Sequence, residues 1–172
     1  MSTMRIPHTV EPYRLAANAE RLEGLIPLAS MPRLVDALGE QQGDCRVRLA
    51  FDVDAQRQRH IDGRLEARVT MHCQRCLQPM EVEIESDFLL AMVSSDALAA
   101  ELPKRYEPVL VENEQLQLLP VVEDELLLSL PQVVYHDDAD CGVSRDQLQS
   151  GKAVEDDRTN PFSVLRSLKD KP

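Results

Sequence analysis

Residues 45–93 carry the pattern that most narrows what this chain can fold into. Cys45, Val47, Leu49, Phe51 and Val53 alternate with Arg46, Arg48, Ala50, Asp52 and Asp54. Leu65, Ala67, Val69, Met71 and Cys73 alternate with Arg64, Glu66, Arg68, Thr70 and His72. A third run sets Met80, Val82, Ile84, Ser86, Phe88, Leu90 and Met92 against Glu81, Glu83, Glu85 and Asp87. A period of two sends successive side chains to opposite faces, so each run reads as a half-buried strand. Three such runs with short polar connections predict an antiparallel meander whose apolar face is covered by helices. The other face would carry arginine on two strands and glutamate on the third. Cross-strand pairing of Arg64 and Arg68 with Glu81, Glu83 and Glu85 accounts for that face structurally, at roughly 0.2–1 kcal/mol per pair. A functional reading sends the remaining arginines, Arg46, Arg48, Arg57 and Arg59, to RNA phosphates.

The flanking segments supply the helices. Pro12 suits the first turn of a helix through Tyr13, Leu15 and Ala16, and residues 22–28 form an extended connector. Ser30 resembles an N-cap with Pro32 just inside, and Gly39 is the expected stop. A short helix is predicted over 95–102, ended by Pro103, then another strand or extended segment over 106–111, interrupted by Pro108. Pro120 opens a helix that runs to Leu130 and is closed by Pro131. Its acids, Glu123, Asp124 and Glu125, would complement the helix dipole. Neighbouring helical residues point apart and cannot converge on one ion, so the triplet reads as solvated charge. Residues 137–159 read as a flexible acidic loop. Residues 160–172 read as a helical tail, with Asn160 as cap, Pro161 at the first position, and Phe162, Leu165 and Leu168 on one side. The expectation is one α+β domain over 1–172: an N-terminal helical segment (1–44), the meander (45–93), a mixed segment (94–136), the loop and the tail.

Charge is segregated along the chain. The net charge is −11, yet residues 46–75 hold seven arginines against four acids, while residues 77–157 hold nineteen acids against four Lys or Arg. The overall balance opposes non-specific capture of nucleic acid, DNA included, and favours basic protein partners. Trp is absent and Phe51 and Phe88 fall on inward positions, which argues against a base-stacking platform for single-stranded RNA. No apolar run approaches the roughly 18 residues of a membrane span. The N-terminal residues lack the apolar core of a secretory signal, so a cytoplasmic protein is expected.

One cysteine motif invites chemistry. Cys73-Gln74-Arg75-Cys76 sits on the turn between the second and third runs, where two thiolates can converge on one tetrahedral ion. His136 and Cys141 would complete a zinc site; Cys45 reads as a buried strand residue. The alternative is a pair of reduced thiols in a tight turn. A thiol oxidoreductase is poorly supported, because Leu77-Gln78-Pro79 leads into a strand rather than the helix that would lower a thiol pKa. The chain has no GxGxxG, P-loop, GxSxG or HExxH motif, and no residue is assigned a catalytic role.

The order of these elements carries a resemblance. Cys73, Arg75, Cys76 and Leu77 are followed by Val122-Glu123-Asp124-Glu125, Leu126 to Leu128 and Pro131. His136-Asp137, Cys141, and finally Asn160-Pro161-Phe162 with Leu165, Leu168 and Lys169 complete the series. Over its whole length the chain resembles the large ribosomal RNA subunit accumulation protein family (YceD). The resemblance implies a non-enzymatic cytoplasmic factor for the synthesis, processing or stability of large-subunit (23S) ribosomal RNA. On that reading the partner is precursor large-subunit RNA or a basic ribosomal protein. Arg46, Arg48, Arg57, Arg59, Arg75 and Phe162 are the candidate RNA- or partner-binding residues, and Cys73, Cys76, His136 and Cys141 the candidate zinc ligands. The rivals are an acidic adaptor or chaperone for a basic protein without RNA contact, and a zinc- or thiol-dependent enzyme.

Overall fold

The three alternating runs become three long strands, and everything else is arranged around them. The computed structural model describes residues 6–148. In chain order the elements are β1 (Thr9–Val10), α1 (Pro12–Ala17), β2 (Arg21–Pro27), α2 (Pro32–Leu38), β3 (Asp44–Val53), β4 (Arg59–His72) and β5 (Pro79–Val93). There follow α3 (Asp96–Ala100), β6 (Glu107–Leu110), β7 (Leu116–Gln117) and α4 (Leu118–Leu128). The fold is α+β: a five-stranded sheet in the order β2-β3-β4-β5-β6 and a two-stranded ribbon of β1 with β7. Where an extended connector is expected over residues 22–28, Arg21–Pro27 form β2, an edge strand antiparallel to β3 from Arg21↔Ala50 to Pro27↔Asp44. β6 joins parallel to β5, which its short length gave no way to foresee; residues 94–106, including α3, supply the crossover such pairing needs. The tail expected over 160–172 lies outside the described residues. Among those described, no helix is long and apolar enough to cross a membrane.

Inward positions fill the core as the alternation dictates. Val47, Leu49, Phe51, Ile61, Leu65, Val69 and Ile84 pack with Leu28, Met31 and Leu34 from the N-terminal segment and Leu118, Val122 and Leu126 from α4. Val53 departs from the pattern: at the last residue of β3 it is 38% exposed. Gly63 sits opposite Phe88 on the inner face, and a Cβ there would lie 2.0 Å from the Phe88 ring. The absent side chain makes the space the ring occupies. Gly63→Ala should therefore cost about 1–3 kcal/mol by overpacking, read as a lower denaturation midpoint. An undiminished midpoint would show that the ring is free to move aside.

The helical segment holds the larger surprises. Ser30 closes a 3₁₀ turn and donates to the Pro27 carbonyl, so it is not the N-cap of α2. The N-cap is Met31, which has no capping oxygen. The orphan N–H groups of Arg33 and Leu34 instead donate to Glu123 Oε1 at 2.7 and 3.1 Å. Arg33 Nε reaches Glu123 Oε2 at 2.9 Å, and the same guanidinium pairs with Asp124. Reading the acidic triplet as solvated charge was wrong. Glu123 is 2% exposed and Glu125 8%, leaving only Asp124 in water. Because α4 begins at Leu118 rather than Pro120, the acids lie beyond its first turn and Glu123 serves the dipole of α2 instead. Glu123→Ala strands two backbone donors and should cost about 1–3 kcal/mol. Asp124→Ala, at the surface, should cost under about 1 kcal/mol. Chemical denaturation of both variants checks this; equal effects would remove the capping role.

Candidate metal centre

The turn joining β4 to β5 is a tight knuckle. The Cys73 N–H donates to the Gln78 carbonyl at 2.9 Å, and the Leu77 N–H to the Cys73 carbonyl at 2.8 Å. Leu77 takes a left-handed conformation at φ 59° to complete the reversal. Both Cys73 and Cys76 thereby face the segment after α4. That segment is laced to the knuckle: the Gln74 N–H donates to the Val134 carbonyl at 3.0 Å, and its side-chain amide to the Gln132 carbonyl at 3.1 Å. A turn over Asp137–Cys141, in which the Asp140 and Cys141 N–H groups donate to the Asp137 carbonyl, then brings Cys141 back. The start of the expected acidic loop is thus organised against the knuckle as far as Cys141, with a short 3₁₀ turn over Arg145–Leu148 beyond it; the remainder lies outside the described residues.

Four ligand atoms meet there. The sulfurs of Cys73, Cys76 and Cys141 and a ring nitrogen of His136 all lie within 4.8 Å of one another. Cys73 Sγ is 4.0 Å from Cys141 Sγ, and Cys76 Sγ is 3.3 Å from His136 Nδ1. A tetrahedral ion with metal–sulfur bonds of about 2.3 Å has edges of about 3.8 Å. The cluster can hold a metal ion with little adjustment. Cys45, the fourth cysteine, is fully buried in β3, and burial pushes its thiol up to about 12.

The surroundings favour the thiolate at Cys73 and oppose it at Cys76. Burial opposes ionisation of Cys73, but the backbone N–H groups of Cys76, His136 and Arg75 outweigh it and bring the thiol down to about 5. A Gln78 backbone hydrogen bond favours the Cys76 thiolate, yet burial and the Cys73 and Cys141 sulfurs together hold that thiol above its ordinary range. Arg75 supplies outer support: its Nε donates to Cys141 Sγ at 3.0 Å, another nitrogen to the His136 carbonyl at 3.0 Å, and a third pairs with Asp138. Nothing in the sequence beyond its place in the motif marked Arg75 for this task.

The other sequence-predicted residues are placed elsewhere. Arg75, expected to touch RNA or a partner, has a side chain only 5% exposed and turned into the cluster. Arg48 pairs with Glu66 at 2.7 Å, and the Arg59 guanidinium lies over the Tyr13 ring at 5.1 Å. Arg64 bridges Glu66, Glu85 and Asp87, and Arg68 bridges Glu81 and Glu83. Among the described residues Arg46 and Arg57 make no ion pair, and Phe162 lies outside them.

Fold and site together define a small mixed sheet protein whose longest hairpin ends in a Cys3His cluster with metal-ligating geometry. The profile described as "Large ribosomal RNA subunit accumulation protein YceD" matches residues 61–169, a span that contains all four ligands. The chain is 33% identical over 174 residues to the protein of that name from Haemophilus influenzae, an alignment covering 99% of this chain and 100% of the relative. It belongs to the YceD family. No solved structure matches it.

The Cys73 thiolate favours the folded state fully above the unfolded thiol's value near 9, and that contribution is lost as pH falls through about 5. Thiolate absorbance of the reduced, metal-free protein should therefore include one step centred near pH 5. The step should vanish in Cys73→Ser. Titration of every thiol near 9 would contradict the hydrogen-bonding argument.

Proposed function

We propose that this protein is a cytoplasmic, non-catalytic factor in the accumulation of large-subunit ribosomal RNA, working by binding and stapled by zinc at Cys73, Cys76, His136 and Cys141. The observation that carries the binding reading is the closed ligand set. Four protein side chains would fill every position of a tetrahedral ion, leaving none open for substrate, as in structural rather than catalytic zinc sites. Thiolate and imidazole donors at these separations suit Zn²⁺. The RNA connection rests on the family and on the relative's name.

Of the two binding targets, a basic ribosomal protein has the better support. Arg48 is committed to an ion pair, Arg59 to an aromatic ring and Arg75 to the cluster, which thins the cationic surface available to phosphate. The negative net charge weighs the same way. Direct RNA contact through Arg46 and Arg57 is the second reading, favoured by their lack of an ion pair among the described residues.

Purified protein should carry about one zinc per chain, lost in Cys76→Ser. Crosslinking in growing cells should recover the protein on maturing large-subunit particles, with less mature large-subunit RNA in the Cys76→Ser strain. Absence from every such particle, or turnover of a substrate at the paired thiols, would overturn the reading.

A further inference from the structure

A second site lies away from the cysteines, where β5 loses its neighbour. β6 pairs only with Leu90–Val93, so among the described residues the edge of β5 from Pro79 to Leu89 has no strand beside it. A cleft of about 560 Å³ wraps the upper part of this edge. It is lined from the outer face by Asp62 and Asp87, from the start of β6 by Glu107, and from α4 by Glu125. Arg105 also lines it, but that guanidinium is engaged with Asp54 at 2.6 Å and Gln56 at 3.1 Å.

Acids beside an open strand edge have an ordinary explanation, since charge there discourages sheet-to-sheet aggregation. Glu125 is outside that explanation. It sits on a helix, it is 8% exposed, and its carboxylate has no hydrogen bond or ion pair among the described residues. Burial, then Glu107 and Asp124, raise its pKa above the usual carboxylate range. Its carboxylate oxygens keep contact with solvent in the cleft, so a partner cation can reach them and offset the partial desolvation of the charge. By contrast Glu123, two residues earlier, has every contact it needs.

We infer that this cleft binds an extended, lysine- or arginine-rich segment of a partner protein, which adds as a strand to the free edge of β5 and sets a cation against Glu125. Strand addition supplies main-chain hydrogen bonds, and successive side chains of the added strand point to opposite faces. One basic residue would then face Glu125 and the next Asp62, Asp87 being already shared with Arg64 at 3.2 Å, so adjacent basic residues fit and isolated ones do not. Leu128, 75% exposed at the rim, and Phe88 beneath offer apolar contact to the aliphatic stems. The inference rests on the binding reading above for its biological setting, while its chemistry stands on the cleft alone.

The test uses the full chain and a short labelled peptide, Thr-Val-Thr-Arg-Lys-Thr-Val-Thr, followed by fluorescence anisotropy. Wild type should bind, and Glu125→Gln should weaken binding about tenfold or more, as loss of a buried charge partner does. Glu23→Gln removes the same charge at the opposite edge of the sheet, on β2, and should weaken it less than about twofold. Methylating alternate backbone nitrogens of the peptide on its edge-facing side should abolish binding. Glu125→Gln should melt no lower than wild type, since the native state disfavours its charge, so lost binding will not reflect unfolding. Equal effects of the two glutamine variants, or an unaffected methylated peptide, would overturn the proposal. So would displacement of the peptide by a short RNA in preference to unlabelled peptide. Binding that appears only after Arg166, Lys169 and Lys171 are changed to Glu would assign the cleft to this chain's own tail instead, and also overturn it. Failure here would leave recovery on large-subunit particles unaffected, and loss of that recovery would leave peptide binding unaffected.

Discussion

The register between β4 and β5 is the constraint on which the rest of the molecule depends. It runs unbroken from His60↔Ala91 to His72↔Pro79. A slip of one residue would turn every apolar side chain of a strand toward water. It would also separate Gly63 from Phe88 and move Arg64 from between Glu85 and Asp87. The same register fixes where the hairpin turns, and hence where Cys73 and Cys76 emerge. Packing, outer-face electrostatics and ligand placement are thus three readings of one alignment.

The two buried glutamates of α4 show how environment divides the roles of identical residues. Glu123 accepts two backbone N–H groups and a guanidinium, so its burial ties α2 to α4 across ninety residues of chain. Glu125 is buried nearly as deeply with none of these. The first is a cap supplied from a distance, and it explains why α2 tolerates a methionine at its N-cap. The second opens on the cleft at the sheet edge with no partner for its carboxylate among the described residues.

Much of this was legible in the sequence, and the failures have physical causes. The meander was readable because period-two alternation over runs of this length leaves one face to bury. β2 was missed as a strand because Gly24 and Pro27 obscure its alternation and its partner is supplied only in three dimensions. β6 is readable as a strand or extended segment, but its parallel pairing is not, because four residues carry no information on direction. The acidic triplet misled because local charge density looks identical whether a helix faces water or another helix end. Cys73, Cys76, His136 and Cys141 could be grouped by residue chemistry alone. The bracing role of Arg75 could not, since it depends on how the segment after α4 folds back.

The cluster joins a hairpin tip to a stretch that belongs to no sheet. Residues 132–141 follow α4 and contribute no strand to either sheet, and they reach the body mainly through the knuckle. Closing the chain between Cys76 and His136 carries a loop-entropy cost that grows only slowly with length, so a single ion bound at the cluster would suffice to hold it shut. The result is a clasp rather than a keystone. A bound ion would add to the Gln74 and Arg75 hydrogen bonds that already hold this stretch to the hairpin, and the sheet and the acidic cleft at its edge would not depend on it.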